Sequence, residues 1–328
     1  MNPGAIIAGT DYEIIREIGR GSTAITYLAR HRTFGQTVAI KLVQPLVYLR
    51  RHTARRFVRE ARALARIRHP HVVELYEGPE LAGGLRCLVM EYIEGESLAD
   101  VLAHGRPSVA LSVRWIVQAL EGLQAAHESH VLHRDLKPGN LFIRTRDNSC
   151  VLIDFGFCKG DSLDSHYTTT EGVFVGTPHY ASPEQTARKK TLTPASDVYA
   201  MGVILYECLT GVRLFGHLST REILLGRRRE APPSLLGCGY IPGSERLEKT
   251  ITRALAEDPE DRFHSAAEMA LELDRYLVEE LHNPSARLTD IPSVEMQIGA
   301  PRGHQRSMRI AGIAAACACA LGTMVHLS

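Results

Sequence analysis

The stretch His133-Arg134-Asp135-Leu136-Lys137-Pro138-Gly139-Asn140 (HRDLKPGN) decides how this chain is read. It gathers a His, an Arg, an Asp, a Lys and an Asn within eight positions and holds the turn pair Pro138-Gly139. Val131-Leu132 precede it and Leu141-Phe142-Ile143 follow it, both short apolar runs of strand type. Five polar side chains are therefore expected on a tight loop between two buried anchors. A solvated surface turn is the commonest origin of such a loop. The choice between turn and site rests on whether the remaining chain supplies partners for these side chains.

Working outward, Val151-Leu152-Ile153-Asp154-Phe155-Gly156 presents a carboxylate at the end of an apolar strand, with a glycine to bend after it. Asp154 and the amide oxygen of Asn140 are hard donors of the kind Mg²⁺ prefers. Upstream, Tyr12 to Ile18 reads as a strand, Gly19 to Ala24 (GRGSTA) as a turn, and Ile25 to Ala29 as extended again. Gly19 and Gly21 let the backbone fold sharply and bring N–H groups near phosphates. In Val38-Ala39-Ile40-Lys41 the strand period puts Ala39 and Lys41 on one face. Phe57, Val58, Ala61, Leu64 and Ala65 recur with helical spacing. Glu60 lies beside that stripe, best placed to hold Lys41; its plain alternative is a partner for a neighbouring Arg. Leu85 to Ile93 reads as a strand closed by Glu94-Gly95, and Ser112 to His130 as an amphipathic helix bearing Trp115, Ile116, Leu120 and Leu123.

Residues 157–175 are polar and loop-like and end in Gly176-Thr177-Pro178-His179-Tyr180-Ala181-Ser182-Pro183-Glu184. Asp197 opens an apolar helix that runs to Leu209 and stops at Gly211. Asp258-Pro259 and Arg262-Phe263 follow, then Ser265-x-x-Glu268, a capping box for a last helix reaching about Glu280. Arg227-Arg228-Arg229 reads as a solvated face.

The 328 residues suffice for a large core. The net charge of +1 offers no field for nucleic acid, so none is expected as a partner. Seven scattered Cys without a CxxC pair suit reduced thiols and a cytoplasmic setting. The start, MNPGAIIAGT, lacks a basic region and a long apolar run, so no signal peptide is expected. Residues 281–309, with Pro284, Pro292, Pro301 and Gly303, read as a juxtamembrane linker. From Ile310 to Leu327 no residue carries a formal charge, and Arg302, Arg306 and Arg309 lie just before it. That pattern is expected to be a tail anchor in the inner membrane with the preceding domain in the cytoplasm. An Ala-rich helix packed on protein, or a disordered end, is the alternative.

In motif order, residues 12–280 resemble the bacterial eukaryotic-like (Hanks-type) serine/threonine protein kinases. The resemblance implies an α+β, two-lobed fold: an extension at 1–11, a small β-rich N-lobe at about 12–93 and a larger helical C-lobe at about 94–280. It implies ATP and Mg²⁺ as cofactors, with Mn²⁺ as the other candidate metal. Ile18, Gly19, Gly21, Thr26 and Ala39 would surround the nucleotide. Lys41 would position its α- and β-phosphates and pair with Glu60. Met90 would border the back of the pocket, with Glu91 and Ile93 giving backbone contacts to adenine. Asn140 and Asp154 would hold the metal, Asp135 would accept the proton of the substrate hydroxyl, and Lys137 would steady the phosphoryl group. Arg134 suggests a segment ordered by phosphorylation, with Thr168, Thr169 and Thr170 as candidate acceptors and Glu171 as a candidate phosphate mimic. Lys137 and Thr177 favour Ser/Thr substrates, Glu184 would pair with Arg262, and Asp197 would steady the loop.

Two positions depart from the family pattern. Ala24 stands where a third glycine is usual, and Thr26 where Val is common. The implied partners are protein substrates and a second copy of the chain for trans-autophosphorylation. A pseudokinase docking module is the alternative that Ala24 suggests, although Lys41, Asp135, Asn140 and Asp154 are all present. A small-molecule phosphotransferase shares the loop Asp and Asn but lacks the Gly176–Glu184 pattern.

Overall fold

The computed structural model describes residues 2–7, 9–21, 24–43, 58, 61–78, 87–155, 178–187, 192–225 and 232–281. The expectations for Glu60, Thr168, Thr169, Thr170, Glu171, Thr177 and 310–327 lie outside the described residues. The chain divides into two compact units, Met1–Thr289 and Asp290–Ser328, and only the first contains described residues.

Alternating side chains build the N-terminal sheet. β1 (Tyr12–Arg20), β2 (Ala24–His31), β3 (Thr37–Val43), β4 (Leu75–Glu77) and β5 (Cys87–Glu91) lie in the order β1-β2-β3-β5-β4, every pair antiparallel. The register sets Gly19 opposite Thr26, Thr26 opposite Lys41 and Leu28 opposite Ala39, which in turn faces Met90. Residues opposite one another share a sheet face. Thr26, Ala39, Lys41 and Met90 therefore lie on one side, where Ala39, Val43, Leu88 and Met90 join the main core. The intervening residues Tyr27, Ala29, Val38, Ile40, Cys87 and Val89 close a second, smaller core with Ile7, Tyr12 and Ile14.

The second sheet consists of β6 (Gly95–Ser97), β7 (Leu141–Arg144) and β8 (Cys150–Leu152). It passes close to Gly95, where a Cβ would stand 2.0 Å from the Ile143 carbonyl oxygen, so only glycine fits without movement. Residues 71–73 tie the N-terminal region to β8: Leu152 N–H donates to His71 O at 2.9 Å and Val73 N–H to Leu152 O at 3.0 Å.

Helices make up most of the rest. α1 (Leu98–His104) starts at Ser97, whose capping box with Asp100 is reciprocal. α2 (Val109–Glu128) is capped by Ser108 and begins earlier than its periodicity suggests; Trp115, Ile116, Leu120 and Leu123 are fully buried. α3 (Pro183–Thr186) and α4 (Pro194–Thr210) follow. Every residue of α4 from Ala195 to Leu209 is buried, which marks a central helix rather than an amphipathic one. Its stop is Gly211, at φ 72°. α5 (Thr220–Leu224), α6 (Ser244–Ala254) and α7 (Ala266–Tyr276) come next, and residues 61–64, within the stretch of helical spacing noted in the sequence, are helical as well.

Three local expectations change. Val131-Leu132 is not a strand, although Val131 is buried. The glycine turn is shorter than Gly19–Ala24, because β1 runs through Arg20 and β2 starts at Ala24. The Ser265 box is half-made: Ser265 accepts from Glu268 N–H, but Glu268 reaches past it to His264 N–H at 2.8 Å. α7 ends at Tyr276, and a π-turn carries the chain to Leu281.

Candidate functional site

The loop 133–140 is held from outside itself. Asp197, buried on α4, accepts from His133 N–H through Oδ2 and from Arg134 N–H through Oδ1, each at 2.9 Å. Arg134 is thereby kept at φ 63°, a left-handed conformation that costs a non-glycine residue roughly 1–3 kcal/mol and persists only where neighbours impose it. Asp197 also accepts from His127 Nε2 at 2.9 Å. His127 was not foreseen as part of the site.

His133 is completely buried, and its Nε2 lies 2.9 Å from Ile153 O while its Nδ1 faces Asp135 N–H at 3.4 Å. Burial holds the imidazole below its usual range, against the opposing pull of Asp197 and Asp135. A neutral ring with the proton on Nε2 fits both contacts: it donates to the carbonyl and accepts from the amide. The ring also packs against Phe155, with centroids 4.5 Å apart. The two motifs are thus stacked directly on each other.

The reactive groups meet at the loop's far end. Asn140 Nδ2 donates to Asp135 O at 2.7 Å, and Asp135 Oδ2 lies 3.4 Å from both Asn140 Nδ2 and Lys137 Nζ. Ile153 N–H donates to the Asn140 carbonyl at 3.0 Å, which sets Asp154 next to that corner. Lys41 Nζ crosses from the first sheet to Asp154 Oδ1 at 2.8 Å. Burial pushes the Asp154 carboxyl up, but the Lys41 ammonium outweighs it and keeps the group below the ordinary carboxylate range. Asp154 sits at φ 57°, another imposed left-handed residue. With its NH₂ end spent on Asp135, Asn140 has its amide oxygen at the opposite end. That oxygen and the Asp154 carboxylate form a hard donor set that suits Mg²⁺.

Of the groups expected around a nucleotide, Lys41 reaches this corner through Asp154. Thr26 and Lys41 are partners in register, and Ile18 packs on the main core. Gly21 N–H donates to Ala24 O at 2.9 Å, closing the turn, and Ala24 is buried. Met90 and Ile93 are buried too. Glu91 N–H is already given to Glu74 O at 2.9 Å, so that amide is not open to a ligand.

A fully buried ion pair stands apart from the reactive groups. Arg262 Nη1 and Nη2 donate to the two Glu184 oxygens at 2.8 and 2.9 Å. Ser196 Oγ adds a bond to Glu184 at 2.7 Å, and the carbonyls of Ala195, Ala256 and Glu257 take the other Arg262 protons. Burial pushes the Glu184 carboxyl up, and the Arg262 and Ser196 bonds bring it below its usual value.

Comparison with known proteins accords with this geometry. A family model described as protein kinase domain matches residues 12–273. Serine/threonine-protein kinase pkn2 of Myxococcus xanthus is 35% identical over 274 residues, 82% of this chain and 33% of that protein. The serine/threonine-protein kinase PknA of Corynebacterium glutamicum is 37% identical over 270 residues, 81% of this chain and 56% of that protein. The chain thus matches between about a third and just over half the length of these relatives. The crystal structure of the Mycobacterium tuberculosis PknI kinase domain superposes with a TM-score of 0.66 at 25% identity, covering 84% of this chain and 99% of that one. The N-terminal antiparallel sheet and the helical C-terminal region match that fold, and the chain belongs to the protein kinase family.

Proposed function

We propose that the chain is a serine/threonine protein kinase that transfers the γ-phosphoryl group of ATP to protein hydroxyls. The observation that supports this best is the convergence of Lys41, Asp154, Asn140, Asp135 and Lys137 on one corner. In the transfer, the hydroxyl oxygen forms a bond to the γ-phosphorus, the bond to the ADP oxygen breaks, and the hydroxyl proton passes to Asp135. Asn140 keeps the Asp135 main chain in place through its 2.7 Å bond. Lys137, on the same side of Asp135, supplies positive charge to the phosphoryl oxygens. Lys41 tethers Asp154 and offers its ammonium to the α- and β-phosphates. Asn140 and Asp154 would hold Mg²⁺, or Mn²⁺, which when bound neutralises phosphate charge. Most of the rate enhancement would then come from positioning and charge complementarity.

Ser/Thr selectivity rests on Lys137 and Thr177, and autophosphorylation on Thr168, Thr169 or Thr170 by a second copy of the chain. The domain is read as 12–280, followed by the 281–309 linker and a membrane anchor at 310–327. Among the described residues no helix is long and apolar enough to cross a membrane. Cell fractionation with and without residues 310–328 tests the anchor, which a full-length protein found only in the supernatant would reject.

The enzyme reading is tested with purified chain, Mg²⁺ and γ-labelled ATP. Label should enter the chain itself and a basic Ser/Thr protein, and Asp135→Asn should stop it. Transfer by Asp135→Asn, or none by the wild type with any metal and substrate panel, would sink the proposal.

A further inference from the structure

The segment joining the two lobes, 91–95, is fastened at two points to the end of β7, at Arg144 and at Thr145 just after it. At its far end Glu94 O accepts from Thr145 N–H at 2.9 Å. At its near end the Glu91 carboxylate is gripped by Arg144: Nη1 to Oε1 at 2.5 Å and Nη2 to Oε2 at 3.0 Å. Between these clamps, no hydrogen bond falls on the backbone of Tyr92 or Ile93 among the described residues. That short backbone edge includes Ile93, one of the two residues whose backbone the proposed kinase reading sets against adenine.

The Arg144 side chain is only 9% exposed and that of Glu91 22%. A two-pronged guanidinium–carboxylate bond at this depth is strong, directional and little screened by salt. Arg144 Nε is buried and has no partner among the described residues, and the guanidinium meets Glu91 through its two outer nitrogens. Its main chain is occupied separately, N–H to Ser149 O and O from Asn148 N–H. β7 begins directly after Asn140, the expected metal ligand. One strand therefore holds both the metal corner and the adenine edge, and the Arg144 side chain is what reaches the latter.

We propose that Arg144 is a positioning residue for nucleotide: it fixes the Tyr92–Ile93 edge relative to Asn140 by clamping Glu91. This inference rests on the kinase reading, but touches no reacting atom. Without Arg144, Glu91 is left as a partly buried charge with no counterion and the edge can shift. A displacement of that order weakens a positioned ligand without removing the chemistry.

The test measures binding of a fluorescent ADP analogue, together with kcat and both KM values, for the full chain. Arg144→Gln should weaken nucleotide binding and raise the ATP KM by about tenfold, with kcat at saturating ATP falling by a smaller factor and the protein-substrate KM unmoved. Arg144→Lys, with one prong instead of two, should fall between, and Glu91→Arg/Arg144→Glu should regain most of the affinity. If Arg144→Gln does not fold, Glu91→Gln makes the same measurement from the other end. Wild-type affinity in Arg144→Gln, or equal losses in kcat and both KM values that the exchanged pair does not recover, would overturn the clamp while leaving the kinase reading standing. A wild type that binds no nucleotide would overturn both.

Discussion

Two ion pairs in this molecule look alike on paper and differ in what surrounds them. Lys41–Asp154 is a single contact at 2.8 Å, with side chains 19% and 36% exposed. Arg262–Glu184 is two-pronged, 0% and 4% exposed, and enclosed by Ser196 and three carbonyls. The first is open to water, so on the proposed reading it would exchange partners when a phosphate or a metal arrives. The second cannot, since every exchange would leave a buried charge unpaired. The contrast separates a pair that works from a pair that braces, and substitutions should divide the same way.

The largest effect should come from the open pair. Asp154→Asn removes one of the two proposed metal ligands, and turnover should fall by about 10³-fold or more, with the urea midpoint nearly unchanged. A variant that loses its fold instead would put Asp154 with the braces. Next, Arg262→Met strands Glu184 in the interior and should cost about 3–5 kcal/mol in urea unfolding. Glu184→Met/Arg262→Met should recover part of that loss, because the unpaired charge is gone. A double variant no better than the single would show that packing, not charge, is what the pair supplies.

Acid should act on the brace in a defined direction. The Glu184 carboxyl lies below its ordinary 4.5 in the folded chain, so the unfolded chain binds more protons in acid. Its contribution is present above that value and is lost as pH falls through the folded pKa. The His133 imidazole is likewise held below its ordinary 6.5, so a first loss of stability should begin as pH drops past about 6.5. Urea unfolding at a series of pH values should show both limbs, and the lower one should flatten in Glu184→Met/Arg262→Met. The smallest effect is expected at Ala24. Restoring the family glycine places it in a buried β-strand position, so Ala24→Gly should cost about 0.5–1 kcal/mol and change nucleotide affinity by less than about threefold. A larger gain in affinity would mean that the alanine does limit closure of the turn.

Much of the site is legible along the chain because its members cluster. Asp135, Lys137 and Asn140 lie within one loop, and Asp154-Phe155 follow a short strand. Lys41 is recognisable from strand alternation beside a glycine turn. What could not be read are partners that lie far apart in sequence and carry no local signal. Arg144 is the end of a four-residue strand and finds Glu91 across 53 positions; His127 is one of several polar residues on a long helix and finds Asp197 across 70. The reciprocal box expected at Ser265 failed for a related reason, since Glu268 had a second amide, His264 N–H, within reach.

By itself the sequence determined the inventory: which carboxylates, ammonium groups and amides are present, in what order, and which strands and helices carry them. Those follow from local spacing and hydrophobic period. Tertiary structure alone decided the state of each group. It lowered the His133 imidazole below its usual range by burial, set Lys41 against Asp154, imposed positive φ on Arg134 and Asp154, and made one Arg–Glu pair a brace and one Lys–Asp pair an opening. Charge state and partner choice depend on burial and on distances of a few ångströms between remote segments, and those exist only once the chain has folded.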